Sequence, residues 1–141
     1  MIRLYHLLVI HIISISGLAC LIARAADADK VGEWRGYGSD KWSTKYLPLG
    51  QINKDNVKEL RVVWRWNSPD NELVQSNPDL WTMVYGATPL MLGGVIYTST
   101  SLNQVAAIHA ITGETIWVYD PNTYKDGTPA NTGFVHRGVA Y

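Results

Sequence analysis

Cysteine is nearly absent from this chain: Cys20 stands alone among 141 residues. One thiol can build neither a disulfide framework nor a thiolate metal site. Phenylalanine is as scarce, with one copy against six Trp and eight Tyr. Rings with a polar tip replace it, which suits packed interfaces and sugar-facing surfaces, packing being the commoner use. An excess of one charge is missing too. Twelve Lys and Arg balance twelve Asp and Glu, so nothing points to nucleic acid or an anionic surface. The chain has no nucleophile elbow, phosphate-cradling glycine loop or dinucleotide glycine motif. Its four His show no zinc-type spacing.

What is present begins with an export segment. Arg3 precedes an apolar run from Leu7 to Ile22, and Ala23-Arg24-Ala25 supplies a small-x-small cleavage pattern. Residues 1–25 therefore read as a secretory signal peptide cut after Ala25. The run is broken by His11, Ser14, Ser16 and Gly17 and is short for a spanning helix. Gly17-Leu18-Ala19-Cys20 partly matches a lipoprotein box, with Gly17 where Leu is wanted. Lipidation at Cys20 is the minority alternative. Export implies a periplasmic location for residues 26–141.

The lead-in, Ala26 to Asn67, is expected to be mostly irregular. Gly32-Glu33-Trp34-Arg35-Gly36-Tyr37-Gly38 is rich in glycine and aromatics, which predicts loop structure packed by its rings. Asn53 can cap a short helix from Lys54 to Glu59, with Ile52 and Val57 placed as a hydrophobic staple. Leu60, Val62, Trp64 and Trp66 alternate with Arg61 and Arg65, the pattern of a half-buried strand. Ser68-Pro69-Asp70-Asn71 and Ser76-Asn77-Pro78-Asp79 read as loops, and so does Lys125 to Asn131.

Thr88 to Tyr119 organises the rest. Turn signals at Gly93-Gly94, Leu102-Asn103 and Thr112-Gly113 divide it into four short apolar runs rich in β-branched and aromatic residues. Such runs predict an antiparallel meander, and four strands make one blade of a β-propeller. A blade has two apolar faces that neighbouring blades must cover. One blade cannot close a ring, so the chain reads as the front piece of a larger design.

Ala107-Ile108-His109-Ala110-Ile111-Thr112-Gly113-Glu114-Thr115-Ile116-Trp117 resembles the tryptophan-docking motif of quinoprotein dehydrogenases, Ala-x-Asp-x-x-Thr-Gly-x-x-x-Trp. His109 stands where Asp is usual. The lead-in landmarks, Tyr46-Leu47-Pro48-Leu49, Gln51-Ile52-Asn53 and Asn56 to Leu60, are similar to the start of the same enzymes. So is His136-Arg137-Gly138-Val139-Ala140-Tyr141, which matches Asn-Arg-Gly-x-Ala-Tyr-Trp with His136 for Asn. The resemblance spans Gly32 to Tyr141. It implies an all-β fold: the first blade, the start of the second, and a ring-closing strand from an eight-bladed propeller. Thr112-Gly113 would turn between the third and fourth strands, and Trp117 would pack between blades.

The resemblance also implies chemistry. These enzymes use pyrroloquinoline quinone (PQQ) and Ca²⁺ to oxidise a sugar or an alcohol, with hydride passing to the quinone and electrons leaving to a cytochrome or ubiquinone. The wording of the motifs is nearer the glucose-oxidising members. Arg137 matches the Arg that reaches PQQ and is the one cofactor-binding candidate. On spacing alone an Arg on an inner strand reads as a structural ion pair. In its favour, a guanidinium binds carboxylates through paired bonds and keeps its charge. The catalytic Asp and the calcium ligands come from later blades, so no catalytic or metal residue is assigned here, and the chain alone is expected to be inactive. Gly86 replaces a Glu that contacts the quinone in many alcohol-oxidising members. Asn131 and Thr132 replace an adjacent Cys pair found in some. His109 is expected to serve a turn or interface, and His136 carries no catalytic role. The alternative is a non-enzymatic scaffold lipoprotein of outer-membrane assembly, built from the same repeat. A degenerate fragment that never folds stably is a third reading, because its blade faces would be bare.

Overall fold

The computed structural model describes residues 32–82, 85–130, 133–135 and 137–141. The expected export segment with Cys20 lies outside them, as do Val84, Asn131, Thr132 and His136. Four strands form one antiparallel sheet in chain order: β1 (Leu90–Leu92), β2 (Val95–Ser99), β3 (Val105–His109) and β4 (Thr115–Tyr119). This is the meander read from the sequence, and each turn works as its residues require. Leu92 pairs with Val95 across Gly93 and Gly94, whose φ values of 56° and 76° are those a two-residue hairpin needs at both positions. Asn103 takes φ 65° in the second turn, a conformation Asn tolerates. There Thr100 N–H donates to Gln104 O at 2.8 Å. Gly113 closes the third turn at φ 75°. A bulge between Ala107 and Ile108 interrupts the β3–β4 register.

His109 is a turn residue, as expected. Its Nδ1 accepts from the Thr112 N–H at 3.3 Å and pairs with Thr112 Oγ1 at 3.1 Å. A carboxylate at this place would offer the same acceptor.

The stretch 60–66 departs from expectation. It forms no strand, and Leu60, Val62 and Val63 are exposed. A strand exists through its ladder, and this stretch has no ladder partner among the described residues. Its two tryptophans nonetheless find the blade. Trp64 Nε1 donates to Ala110 O at 3.2 Å, and Trp66 Nε1 donates to Thr115 Oγ1 at 2.9 Å. The Trp64 ring lies on Gly113 so closely that a Cβ there would sit 2.6 Å from Cδ2.

Asn53 does not cap a helix: its Oδ1 accepts from Asp55 N–H at 2.9 Å and Asn56 N–H at 3.3 Å, which closes a turn, and the helical segment that follows has Asn56 at its N-cap with no side-chain cap bond. The helix beyond it shrinks to turns and a 3₁₀ segment at Val57–Glu59. Ile52 and Val57 both stay exposed, so the staple does not form. Of the rings in the glycine-rich stretch 32–40, Trp34 is half-buried and Tyr37 is exposed, and in the loop that follows, Trp42 and Tyr46 are exposed as well. The loop is held instead by Asp40, whose carboxylate accepts from Trp42 N–H, Thr44 N–H and Thr44 Oγ1 at 2.9, 3.1 and 2.7 Å. Those bonds, Thr44 foremost, depress the Asp40 pKa.

The stretch read as a loop around Asp70 is helix α1 (Asp70–Ser76). Pro69 stands at its N-cap and Asp70 and Glu72 fill its first turn, a start that suits both proline geometry and the helix dipole. Asp70 is only 4% exposed. Its Oδ1 accepts from Thr100 Oγ1 at 2.7 Å and Gln104 Nε2 at 2.9 Å, and its Oδ2 accepts from Leu102 N–H at 3.0 Å. One carboxylate thus satisfies three donors of the β2–β3 turn. Beside it Leu80, Leu102 and Phe134 make a buried cluster, with Leu73 and Val74 of α1 and Tyr124 packed against it. Tyr124 belongs to a 3₁₀ segment, Thr123–Asp126, at the front of the expected Lys125–Asn131 loop.

Candidate functional site

The residues just ahead of β1 lie beside the 137–141 segment, where the second inner strand is expected to start. Thr88, just ahead of β1, forms a parallel bridge with Gly138, and Thr88 N–H donates to Arg137 O at 3.3 Å. Successive inner strands around an axis run in the same direction, so a parallel contact is the one expected between neighbouring blades. Gly138 is required here. Its φ is 128°, and a Cβ would lie 3.0 Å from Thr88 O. Only glycine allows so close an approach without strain.

This bridge places Arg137 beside Thr88, at the expected start of the second inner strand. Its side chain is exposed and forms no ion pair or side-chain hydrogen bond among the described residues. The structural ion pair that spacing alone would suggest is therefore not observed among them. Gly86, two residues before Thr88, is also exposed and offers no side chain. Tyr85 is turned to the blade: its hydroxyl lies 2.6 Å from Thr98 Oγ1. Among the described residues no group of three or more His, Cys, Asp or Glu gathers.

The two faces of the blade differ. Trp64 and Trp66 of the lead-in reach the β3–β4 turn and the start of β4. Elsewhere Leu90, Leu92, Tyr97, Val105 and Trp117 line an apolar cavity of about 410 Å³, with Val139, Ala140 and Tyr141 as its other wall. Trp117 is 45% exposed, and its ring meets Tyr97 at 6.1 Å between centroids. It therefore packs within its own sheet while bordering the start of the next blade.

Several positions carry more than the sequence suggested. Asp70, Glu33, Trp34 and Arg35 were read as loop residues. For Asp70 the signal existed: Ser68-Pro69-Asp70-Asn71-Glu72-Leu73-Val74 has the proline, acidic residues and following apolar pair of a helix start. Trp34 exchanges backbone bonds with Met91 at 2.8 and 2.9 Å. No local pattern announces that single bridge, because it depends on a contact 57 residues away in sequence (Met91 minus Trp34).

Residues 34–141 match the family model described as PQQ, glucose/ethanol/alcohol dehydrogenase, β-propeller domain. The chain is 35% identical over 125 residues to the 1-butanol dehydrogenase (cytochrome c) of Thauera butanivorans, covering 88% of this chain and 16% of that protein. It is 34% identical over 124 residues to the quinoprotein glucose dehydrogenase of Gluconobacter oxydans, covering 84% of this chain and 14% of that one. The crystal structure of the quinohemoprotein alcohol dehydrogenase from Comamonas testosteroni superposes with a TM-score of 0.58 at 35% identity, over 77% of this chain and 15% of that one. The chain thus spans about a sixth of the length of the relatives it matches. The four-stranded meander, the parallel contact at Thr88 and these likenesses agree, and the chain belongs to the PQQ-dependent glucose/ethanol/alcohol dehydrogenase family as a fragment of its β-propeller.

Proposed function

We propose that this chain supplies the lead-in, the first blade and the start of the second blade of an exported, periplasmic dehydrogenase, and that Arg137 contacts its cofactor. The observation that carries this reading is an exposed guanidinium without a partner among the described residues, on an inner strand, in a family that uses PQQ. The donor chemistry fits. PQQ carries carboxylates and quinone oxygens, and Arg137 can hold such oxygens through paired N–H donors. It would also steady negative charge that develops on them. When bound, PQQ takes up the hydride equivalent leaving the substrate carbon. Calcium ligands and the catalytic base are assigned to sequence other than this chain, which by itself should be inactive.

The substrate is a sugar or an alcohol, with the glucose type favoured by the motif wording. The relatives include both kinds. The electron acceptor is a cytochrome or ubiquinone; relatives are named for cytochrome c and for quinone. The matched family model is that of a dehydrogenase, which favours the enzyme over a lipidated scaffold. Titration of PQQ into the full-length product tests the central claim. Arg137→Ala should weaken binding by about 1.5–3 kcal/mol, the range for hydrogen bonds to a charged partner. Arg137→Lys should fall between, since it keeps charge but loses the fork. Wild-type affinity in Arg137→Ala would remove Arg137 from the site.

A further inference from the structure

We propose that Arg35 is a positioning residue for Arg137: with Glu33 and Trp34 it forms a clasp that holds the first and second inner strands side by side at the end away from Arg137. Trp34 pairs with Met91 of β1 through both backbone bonds, at 2.8 and 2.9 Å. Glu33 Oε1 accepts from Gly93 N–H in the β1–β2 hairpin at 3.0 Å. Its Oε2 accepts from Arg35 Nε. So anchored, Arg35 lays its guanidinium over the Tyr141 ring, 5.2 Å from the centroid. Tyr141 is four residues beyond Arg137 on the same segment.

The geometry explains why a second tie is needed. Among the described residues the bridge Thr88–Gly138 is the single backbone pairing between the two inner strands. One bridge leaves a strand free to swing about it. A contact at Tyr141 fixes the other end and thereby the direction in which the 137–141 segment, and Arg137 with it, projects. A guanidinium keeps its charge at any pH at which the protein is folded, so the cation over the ring does not depend on titration. The same three residues cross the far ends of both strands, opposite the Thr88 end.

Amide exchange in the 141-residue chain tests the clasp without PQQ. The reporter is Thr88 N–H, which is bonded to Arg137 O. Arg35→Ala and Tyr141→Leu should each speed its exchange about two- to fivefold, the equilibrium equivalent of an exposed cation–π contact. The double variant should be no faster than either single one. Tyr141→Phe keeps the ring face and should exchange like wild type. The Thr100 amide, bonded to Gln104 O within the β2–β3 turn, should not change in any of them. Unchanged Thr88 exchange, additive effects, or equal acceleration at Thr100 would each overturn the proposal. The consequence for the cofactor rests on the proposed role of Arg137. That role fails separately, in the Arg137→Ala titration.

Discussion

Asp70 shows how much one side chain can organise. Its two oxygens answer a hydroxyl, an amide and a backbone N–H of the β2–β3 turn, and it starts α1. Asp70→Ala would strand all three donors in a buried place, each costing about 1–3 kcal/mol. We expect a loss of about 3 kcal/mol or more in urea unfolding, and Asp70→Glu should not restore it because the longer chain overfills the site. His109 is a milder case. His109→Ala should cost about 1 kcal/mol through the lost turn bond, while His109→Asp should stay near wild type because it still offers an acceptor to Thr112. Asp40 carries the pH dependence. Its pKa is held below the ordinary 3.8 by the Thr44 and Trp42 bonds. The stabilisation is therefore present above that value and lost as pH falls through the folded one. The Thr44 and Trp42 amide resonances should hold steady near neutrality and move together only in strong acid.

At the scale of elements, local chemistry announced the four strands. Glycine pairs and Thr-Gly specify their turns from within two to four residues, so β1 to β4 and their order could be read before any fold was known. Docking could not. Trp64 looked like one more inward residue of a strand, yet its role is to lie on Gly113, 49 residues later in the chain by subtraction. Gly113→Ala should therefore be worse than a turn glycine alone predicts. It combines positive φ with a Cβ pressed into the Trp64 ring, and a loss of about 2–4 kcal/mol is expected. Trp64→Ala in the same background should recover part of it, giving a non-additive cycle in unfolding measurements. The motif singles out Arg137 as a candidate, whereas its exposed side chain and the bridge beside it come only from the structure. The clasp at Glu33–Arg35 was invisible, since a cation over Tyr141 needs the whole blade to bring residues 35 and 141 together.

For the whole molecule, uncovered apolar surface dominates behaviour. Every residue of β4 is exposed, including Ile116, Trp117 and Tyr119. The face with Leu90, Leu92, Tyr97 and Val105 opens to an apolar cavity. Exposed apolar residues and a strand edge with no ladder partner among the described residues invite association. The isolated chain should bind a hydrophobic dye and shift to larger species with concentration in size-exclusion runs. A charged substitution on the edge, Ile116→Lys, should reduce the shift. A dye-silent, concentration-independent monomer would show that this surface is covered by the chain itself.

The amino-acid sequence by itself determined the blade: its strand number, its three turns and its family, because those depend on residues that meet within a few positions. It also marked His109 as a turn or interface residue, and the bond to Thr112 that makes it a turn residue is local. Only tertiary structure decided that Trp64 and Trp66 of the 60–66 stretch bond to the blade. It alone decided that Asp70 is a buried anchor and that Arg35 reaches Tyr141. Each of those depends on groups far apart in sequence, and a side chain's type does not say which distant partner the fold will bring to it.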